Sequence, residues 1–231
     1  MTSADRRSGA VVVAVDVGGT TIKSGVAGSD GVHRVRRTPT GRERGPDAVV
    51  EEILGTVDHL IADTTNAGDD VVGIAVAVPG IVDDDRGVAV YSETLDWHDV
   101  ALASLLADRC GVPTRLTHDV RAGGHAEVLA GAAIGATDAL FIPIGTGIAA
   151  AVIAGGMMIA GPSAQAGEIG QLLVPTPPTG RRADDPAEQT LEVVASSYAI
   201  GERYHRAGGD RIDLAEVLTR AIAGEALAAA V

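Results

Sequence analysis

The chain has 231 residues, 46% of them hydrophobic and only 2% aromatic, with a formal net charge of −13. That length allows one large domain or two modest ones with a substantial core, and the negative charge excludes nucleic-acid binding through a general basic surface. A single cysteine, Cys110, rules out an intrachain disulfide and the cysteine-rich metal sites, which fits a reducing, cytoplasmic setting.

The start, Arg6-Arg7 followed by Ala10 to Val15, faintly resembles a twin-arginine signal, but its apolar run stops at Asp16, too short for a signal core. Ala10 to Val17 reads instead as a buried strand, with Thr20 to Ala27 following across a tight Gly18-Gly19 turn. Gly31 to Thr38 makes a third strand, with Arg34, Arg36 and Arg37 facing solvent, and the spacing predicts an antiparallel meander. A helix begins near Pro46, a favoured first-turn position, and runs towards Ala67 with Val49, Ile53, Val57, Leu60 and Ile61 on one face. Val71 to Val78 is an apolar strand ending at Pro79-Gly80. Asp99 to Arg109 reads as a helix with Leu102, Leu105 and Leu106 inward, Pro113 to Thr117 as a strand, and Asp119 opens the next helix. The order β-β-β-α-β-α-β-α matches one lobe of the ribonuclease-H-like, actin-like ATPase architecture, an α/β fold.

The second half restarts that pattern. Residues Ala139 to Gly167 carry no charge and are numerous enough to span a bilayer. Pro143, Gly145, Gly147, Gly155, Gly156 and Gly161 divide them, however, into pieces of strand length: Leu140 to Ile144, Ile148 to Ala154 and Met157 to Ala160. Strands joined by glycine turns are expected, not a membrane helix, and helices follow from about Glu188. The expected division is a first lobe over residues 1–133 and a second, incomplete lobe over 134–231.

Three clusters carry chemistry. In Asp16-Val17-Gly18-Gly19-Thr20-Thr21-Ile22-Lys23 a strand ends in an acid and two glycines let the backbone turn close to an anion. Backbone N–H groups and the threonine hydroxyls can hold phosphate oxygens, and Asp16 can hold hydrated Mg²⁺. An ordinary hairpin turn also uses paired glycines, and these residues alone leave both readings open. Gly145-Thr146-Gly147 occupies the equivalent turn of the second half, so that two loops are expected to grip a nucleotide's phosphates. His118-Asp119 lies where a strand feeds a helix, the place where ligands collect in such sheets. Asp119 there serves as a helix cap or as a base, or as both.

These clusters, together with Val78-Pro79-Gly80-Ile81-Val82-Asp83, His118-Asp119-Val120-Arg121 and Ala166-Gly167-Glu168-Ile169-Gly170, resemble the ROK family (repressors, open reading frames and sugar kinases) in order and spacing. The resemblance runs from about Val11 to the last residues and is strongest to the glucokinase-like members of high-GC actinobacteria. It implies an ATP- and Mg²⁺-dependent sugar kinase that phosphorylates glucose or a close relative such as an N-acetylhexosamine. It places Asp119 on the family's catalytic base, His118 where many members carry a sugar-contacting Asn, and Glu168 and Glu192 on carboxylates that bind hexose hydroxyls. Read without the family, the two glutamates are solvated surface charge.

Two departures stand out. Gln171 replaces the His that normally follows Glu-Ile-Gly and binds zinc, and the three cysteines expected between Pro175 and Leu191 are absent, so no structural zinc is expected and the sugar subsite is expected to be looser. Family members also continue past the last helix here into an adenosine-covering segment, so this chain alone is expected to bind ATP weakly, with the apolar stripe Leu214, Val217, Leu218 and Ile222 left uncovered. The alternative is a non-catalytic sugar-binding pseudokinase, or an inactive fragment of a kinase. With the first strand beginning near Ala10, a winged DNA-binding segment, and with it a DNA-binding regulator, is not expected. The expected partners are a hexose and nucleotide, with a homodimer left open and neither nucleic acid nor membrane.

Overall fold

The computed structural model describes residues 9–179 and 184–231. Arg6 and Arg7, and part of the loop that lacks the family's cysteines, lie outside the described residues. Two compact units are present, Met1–Ala122 and Gly123–Val231.

The first unit is built on β1 (Ala10–Val17), β2 (Thr21–Gly28) and β3 (Gly31–Pro39), an antiparallel meander as expected, followed by α1 (Pro46–Asn66) and β4 (Asp70–Val78). Further along come β8 (Thr114–His118) and the start of α3 (Asp119–Ala130). The sheet order is β3-β2-β1-β4-β8, with β4 parallel to both β1 and β8. Val11, Val13, Val15 and Val17 of β1 are buried in alternation, as a period-two strand requires. Pro46 starts α1, and Val49, Ile53, Leu54, Val57 and Leu60 bury its inner face in the same core. Each such side chain contributes roughly 1.5–3 kcal/mol relative to exposure.

Between β4 and β8 the structure departs from the sequence reading. A separate three-stranded sheet, β5 (Ile81–Asp83), β6 (Val88–Ser92) and β7 (Trp97–Val100), occupies the connection. These runs of three to five residues are too short for alternation to show. The expected helix from Asp99 therefore begins later, as α2 (Leu102–Cys110). Trp97 is fully buried, and its indole N–H donates to the Pro46 carbonyl at 3.2 Å, tying this sheet to the first turn of α1. Leu102 and Leu106 face the core as expected, but Leu105 is exposed, one position off the buried stripe. Gly80 opens the excursion with φ +107°, and a Cβ there would stand 2.2 Å from the Tyr91 carbonyl oxygen, so only glycine fits the corner.

The second unit holds β9 (Ala139–Phe141), β10 (Ala151–Ala154) and β11 (Met157–Ile159) in a sheet of order β11-β10-β9. The first two strands are shorter than expected. Pro143 lacks the N–H a longer β9 would use, and Ile144 and Ile148 meet only as an isolated bridge. Gly123 and Gly124 of α3 lie so close to this sheet that added Cβ atoms would stand 2.5 Å from Phe141 and from Ala151. Next come β12 (Leu173–Pro175) and β13 (Glu188–Thr190), an antiparallel pair where a helix was expected at Glu188. The helices are α4 (Leu191–Ala195), α5 (Ser197–Arg206), α6 (Leu214–Ile222) and α7 (Ala226–Ala230). Asp213 caps α6 by accepting the Glu216 N–H at 3.0 Å. Of the apolar stripe on α6, Val217 is buried against Tyr204 and Ala228, while Leu218 and Ile222 are exposed. Among the described residues no helix is long and apolar enough to cross a membrane, and the uncharged stretch from Ala139 forms strands and turns.

Candidate functional site

In the first unit, parallel register determines what meets. Asp16 pairs with Ala77, Ala77 with Thr117, and Val78 with His118, so the carboxyl ends of β1, β4 and β8 form one row. The turn after β1 is closed by Gly18 N–H donating to the Thr21 carbonyl at 3.0 Å and by Thr40, whose hydroxyl donates to the Gly18 carbonyl at 2.6 Å. Thr40 N–H also bonds the Thr20 carbonyl. The sequence reading missed Thr40, which lies beyond the motif that it supports. Cβ atoms on Gly18 and Gly19 would stand 3.1 Å from the Thr21 carbonyl oxygen and 2.6 Å from the Thr94 methyl. A turn this tightly backed presents bare backbone outwards, the form that an approaching phosphate needs. Thr20 at its tip is exposed. Asp16 and Lys23 are cross-strand partners with Nζ and Oδ2 3.2 Å apart, both about half exposed, so the pair itself adds little stability.

His118 ends β8 and is buried, and Asp119 begins α3. One Asp119 oxygen accepts the Val120 N–H at 2.7 Å and lies 3.2 Å from His118 Nε2. Burial pushes the Asp119 carboxyl up to about 6; the Val120 N–H opposes this and the negative charge of Asp16 adds to it. Burial, helped by the positive charge of Arg121, lowers the His118 imidazole to about 4 against the pull of Asp84. At neutral pH the His118–Asp119 contact is therefore between a neutral imidazole and a carboxylate, not an ion pair. A carboxylate with a raised pKa beside a second acid at the edge of a parallel sheet is equipped to accept a proton near neutrality. Arg121 and Asp84, which shape this electrostatics, were given no role in the sequence, where Arg121 appears only within its motif; a charged residue on a helix or in a turn ordinarily reads as solvated.

In the second unit, the bridge between Ile144 and Ile148 carries the Gly145-Thr146-Gly147 turn, which is exposed throughout. Ser197 fixes the turn from behind, its N–H and hydroxyl donating to the Gly145 carbonyl at 2.9 and 2.7 Å. Glu192, in the first turn of α4, accepts the Ile148 N–H at 3.0 Å, and a Cβ on Gly147 would stand 2.6 Å from its carboxylate. The structure thus brings Glu192 to the glycine turn. Glu168 precedes a short 3-10 turn, Ile169–Gln171, in which the Gln171 N–H donates to the Glu168 carbonyl at 3.2 Å. Glu168 is half-buried and Gln171 exposed. Among the described residues no group of three or more His, Cys, Asp or Glu side chains is placed to hold a metal ion.

The sequence profile of the ROK family matches residues 12–231. The chain belongs to the ROK family. It is 30% identical over 189 residues to a glucokinase of Halalkalibacterium halodurans, an alignment covering 81% of this chain and 57% of that protein. Against this ROK relative the chain therefore spans less than two thirds of the length. The crystal structure of a ROK hexokinase from Thermus thermophilus superposes with a TM-score of 0.70 at 28% identity, covering 95% of this chain and 71% of the other. A ROK family transcriptional regulator, a homologue of the Escherichia coli Mlc protein, superposes with a TM-score of 0.81 at 22% identity, over 95% of this chain and 58% of that one, a likeness of fold. The fold is the actin-like ATPase fold of ROK kinases.

Proposed function

We propose that this chain carries the chemistry of an ATP-dependent hexose kinase, acting on glucose or a close relative such as an N-acetylhexosamine. The observation that carries the reading is Asp119: a carboxylate at the carboxyl end of β8, beside Asp16, with its pKa pushed up to about 6. Asp119 accepts the proton of the sugar hydroxyl as that oxygen bonds to the terminal phosphorus and the phosphorus–oxygen bond to the leaving nucleoside diphosphate breaks. Phosphoryl transfer needs positioning and charge stabilisation more than a strong base. The Gly18–Thr21 and Gly145–Gly147 turns hold phosphate oxygens through backbone N–H groups and threonine hydroxyls, Lys23 offers its ammonium to a phosphate, and Asp16 would hold Mg²⁺. His118, Glu168, Gln171 and Glu192 orient the hexose hydroxyls. Bound Mg²⁺ would supply charge neutralisation on the phosphates. A cytoplasmic setting suits both substrates. A coupled assay with ATP, Mg²⁺ and a panel of hexoses tests the reading. A second reading, sugar binding without turnover, draws on the likeness of fold to a transcriptional regulator; it expects calorimetric hexose binding with no ADP released.

The two glycine turns make separable predictions. Gly145 has no atom within 4 Å of a Cβ position. Gly145→Val should therefore leave the melting temperature unchanged and still weaken ATP binding by about tenfold or more, because the branched side chain blocks the phosphate's approach. Gly19→Val should weaken ATP as well, with some loss of stability as the Thr94 methyl is displaced. In both, hexose affinity measured by calorimetry should change little, and an equal loss of both ligands would show that the turns are not the phosphate grip.

No structural zinc is expected, because Gln171 and the cysteine-free loop remove the family's ligands. Elemental analysis of the purified chain should find well under one zinc per chain, and stoichiometric zinc surviving a chelator would refute this.

A further inference from the structure

Helix α1 packs on β1, β2 and β4, with β3 at the edge of the sheet. Between β3 and α1 lies a groove of about 630 Å³ lined mainly by polar side chains, the size of a small-molecule site. Strand register places Ile22 opposite Thr38 and Ser24 opposite Arg36, so all four side chains share one face. Ile22 is buried in the core with Val49 and Ile53 of α1, which makes that face the helix side. On α1, Ala48, Glu52, Gly55 and His59 recur at helical spacing along the opposite wall. Gly55 keeps the groove open: a Cβ there would have no atom within 4 Å. None of the residues proposed for the kinase site lines it.

Two hydroxyls of this groove lack partners. Ser24 is 5% exposed, and its Oγ, like Thr38 Oγ1, is buried without a hydrogen-bond partner among the described residues. Folded proteins seldom leave such a group unpaired, and a ligand in the groove would account for both. Arg44 Nη2 donates to Glu52 Oε2 at 3.1 Å and Arg36 Nη2 to Asp63 Oδ2 at 2.6 Å. A guanidinium has more donors than one carboxylate contact uses, so both have donors to offer a ligand. His59 Nδ1 donates to the Gly55 carbonyl at 2.6 Å, since a carbonyl only accepts, and Nε2 is thereby the acceptor of the neutral ring. Charges on the lining cancel, Arg36 and Arg44 against Glu51 and Glu52. An anion would have to displace carboxylates from the arginines, and a cation would meet two guanidiniums. What fits is an uncharged molecule whose groups donate and accept at once, as sugar hydroxyls do. We propose that the groove between β3 and α1 is a second carbohydrate site for an uncharged mono- or disaccharide. The Ser24 and Thr38 hydroxyls, Arg36, Arg44, Glu52 and His59 are its hydrogen-bonding groups. The inference does not depend on the kinase reading, because the two sites share no residue.

The test uses the full ¹⁵N-labelled chain and follows the amide signals of Thr38, Gly55 and Thr56 while glucose, maltose or sucrose is added. At least one sugar should shift these signals saturably, with a midpoint of about 10 mM or below. Sodium sulfate and tetramethylammonium chloride, the anionic and cationic probes, should not. Gly55→Leu fills the groove, and leucine is the better helix former. Its melting temperature should be no lower than the parent's, and the sugar response at Thr38 and Thr56 should disappear. Ser24→Ala and Thr38→Val each delete an unpaired hydroxyl, so neither should unfold the chain, and at least one should weaken the sugar about fivefold or more. The proposal is overturned by no saturable response to any of the three sugars, by saturation with either ion, or by a response that survives Gly55→Leu. Unchanged affinity in both hydroxyl variants overturns it too. Should Gly55→Leu fail to fold, the hydroxyl variants decide alone, and weakening in either at parental melting temperature supports the site.

Discussion

Asp119→Asn should lower hexose turnover at least about a hundredfold relative to the parent chain, within the range for loss of a general base, without loss of folded structure. The substitution keeps the size of the side chain and its hydrogen bond from Val120. It also removes a charge that burial opposes. The sign follows from the raised pKa: the folded state holds the Asp119 proton up to about pH 6, so its contribution to stability is full below the ordinary aspartate range and is lost as pH rises through about 6. At pH 7 the asparagine variant should therefore melt no lower than its parent. Activity moves the opposite way with pH, because a base works only when unprotonated. Turnover of the parent chain should climb as pH rises through about 6, and Asp119→Asn should lose that limb along with the rate. Near-normal turnover in the variant, with the limb intact, would place the base elsewhere.

Gly167→Ala should be the most damaging small substitution in the second unit. Gly167 has φ +96°, and a Cβ there would stand 1.8 Å from the carbonyl oxygen of Ala150, a backbone atom that cannot swing away. The two residues are already bonded, Ala150 N–H to the Gly167 carbonyl at 2.7 Å, so relief means parting the loop from the strand beside it. Strain at such a position, added to the lost contact, should cost about 3 kcal/mol. The next residue is Glu168, so hexose affinity should fall with stability. Gly145→Ala is the control, since open space at that position predicts a change within about 0.5 kcal/mol. Chemical denaturation and calorimetry with glucose read both quantities, and a Gly167→Ala variant of parental stability and affinity would contradict the geometry.

The regular elements of the first unit were legible because their signals are local. A continuous apolar run marks β1, Pro46 and the spacing of Val49, Ile53, Val57 and Leu60 mark α1, and the run ending at Val78 marks β4. The acids and glycines of the candidate site were legible as residue types, since strand–acid–glycine and strand–His–Asp are short patterns. What the sequence could not show is what depends on distant partners. Asp16 and Thr117 share a row only because β4 lies between their strands, and parallel pairing leaves no mark in either segment. The three short strands between β4 and α2 are held by each other, by Trp97 on the Pro46 carbonyl and by Arg121 on Val82 and Asp84, so each alone is too short to carry a period. Leu105 faces outwards because the buried stripe of α2 runs through Leu102, Ala103 and Leu106. Arg121 is the clearest case. By itself it reads as a solvated helix charge, and partners distant in sequence, among them a carboxylate 37 residues away and a strand carbonyl, make its burial tolerable. The sequence by itself determined which groups could do chemistry. Tertiary structure decided which of them meet and in which charge state, because burial and the field of neighbouring charges are properties of packing.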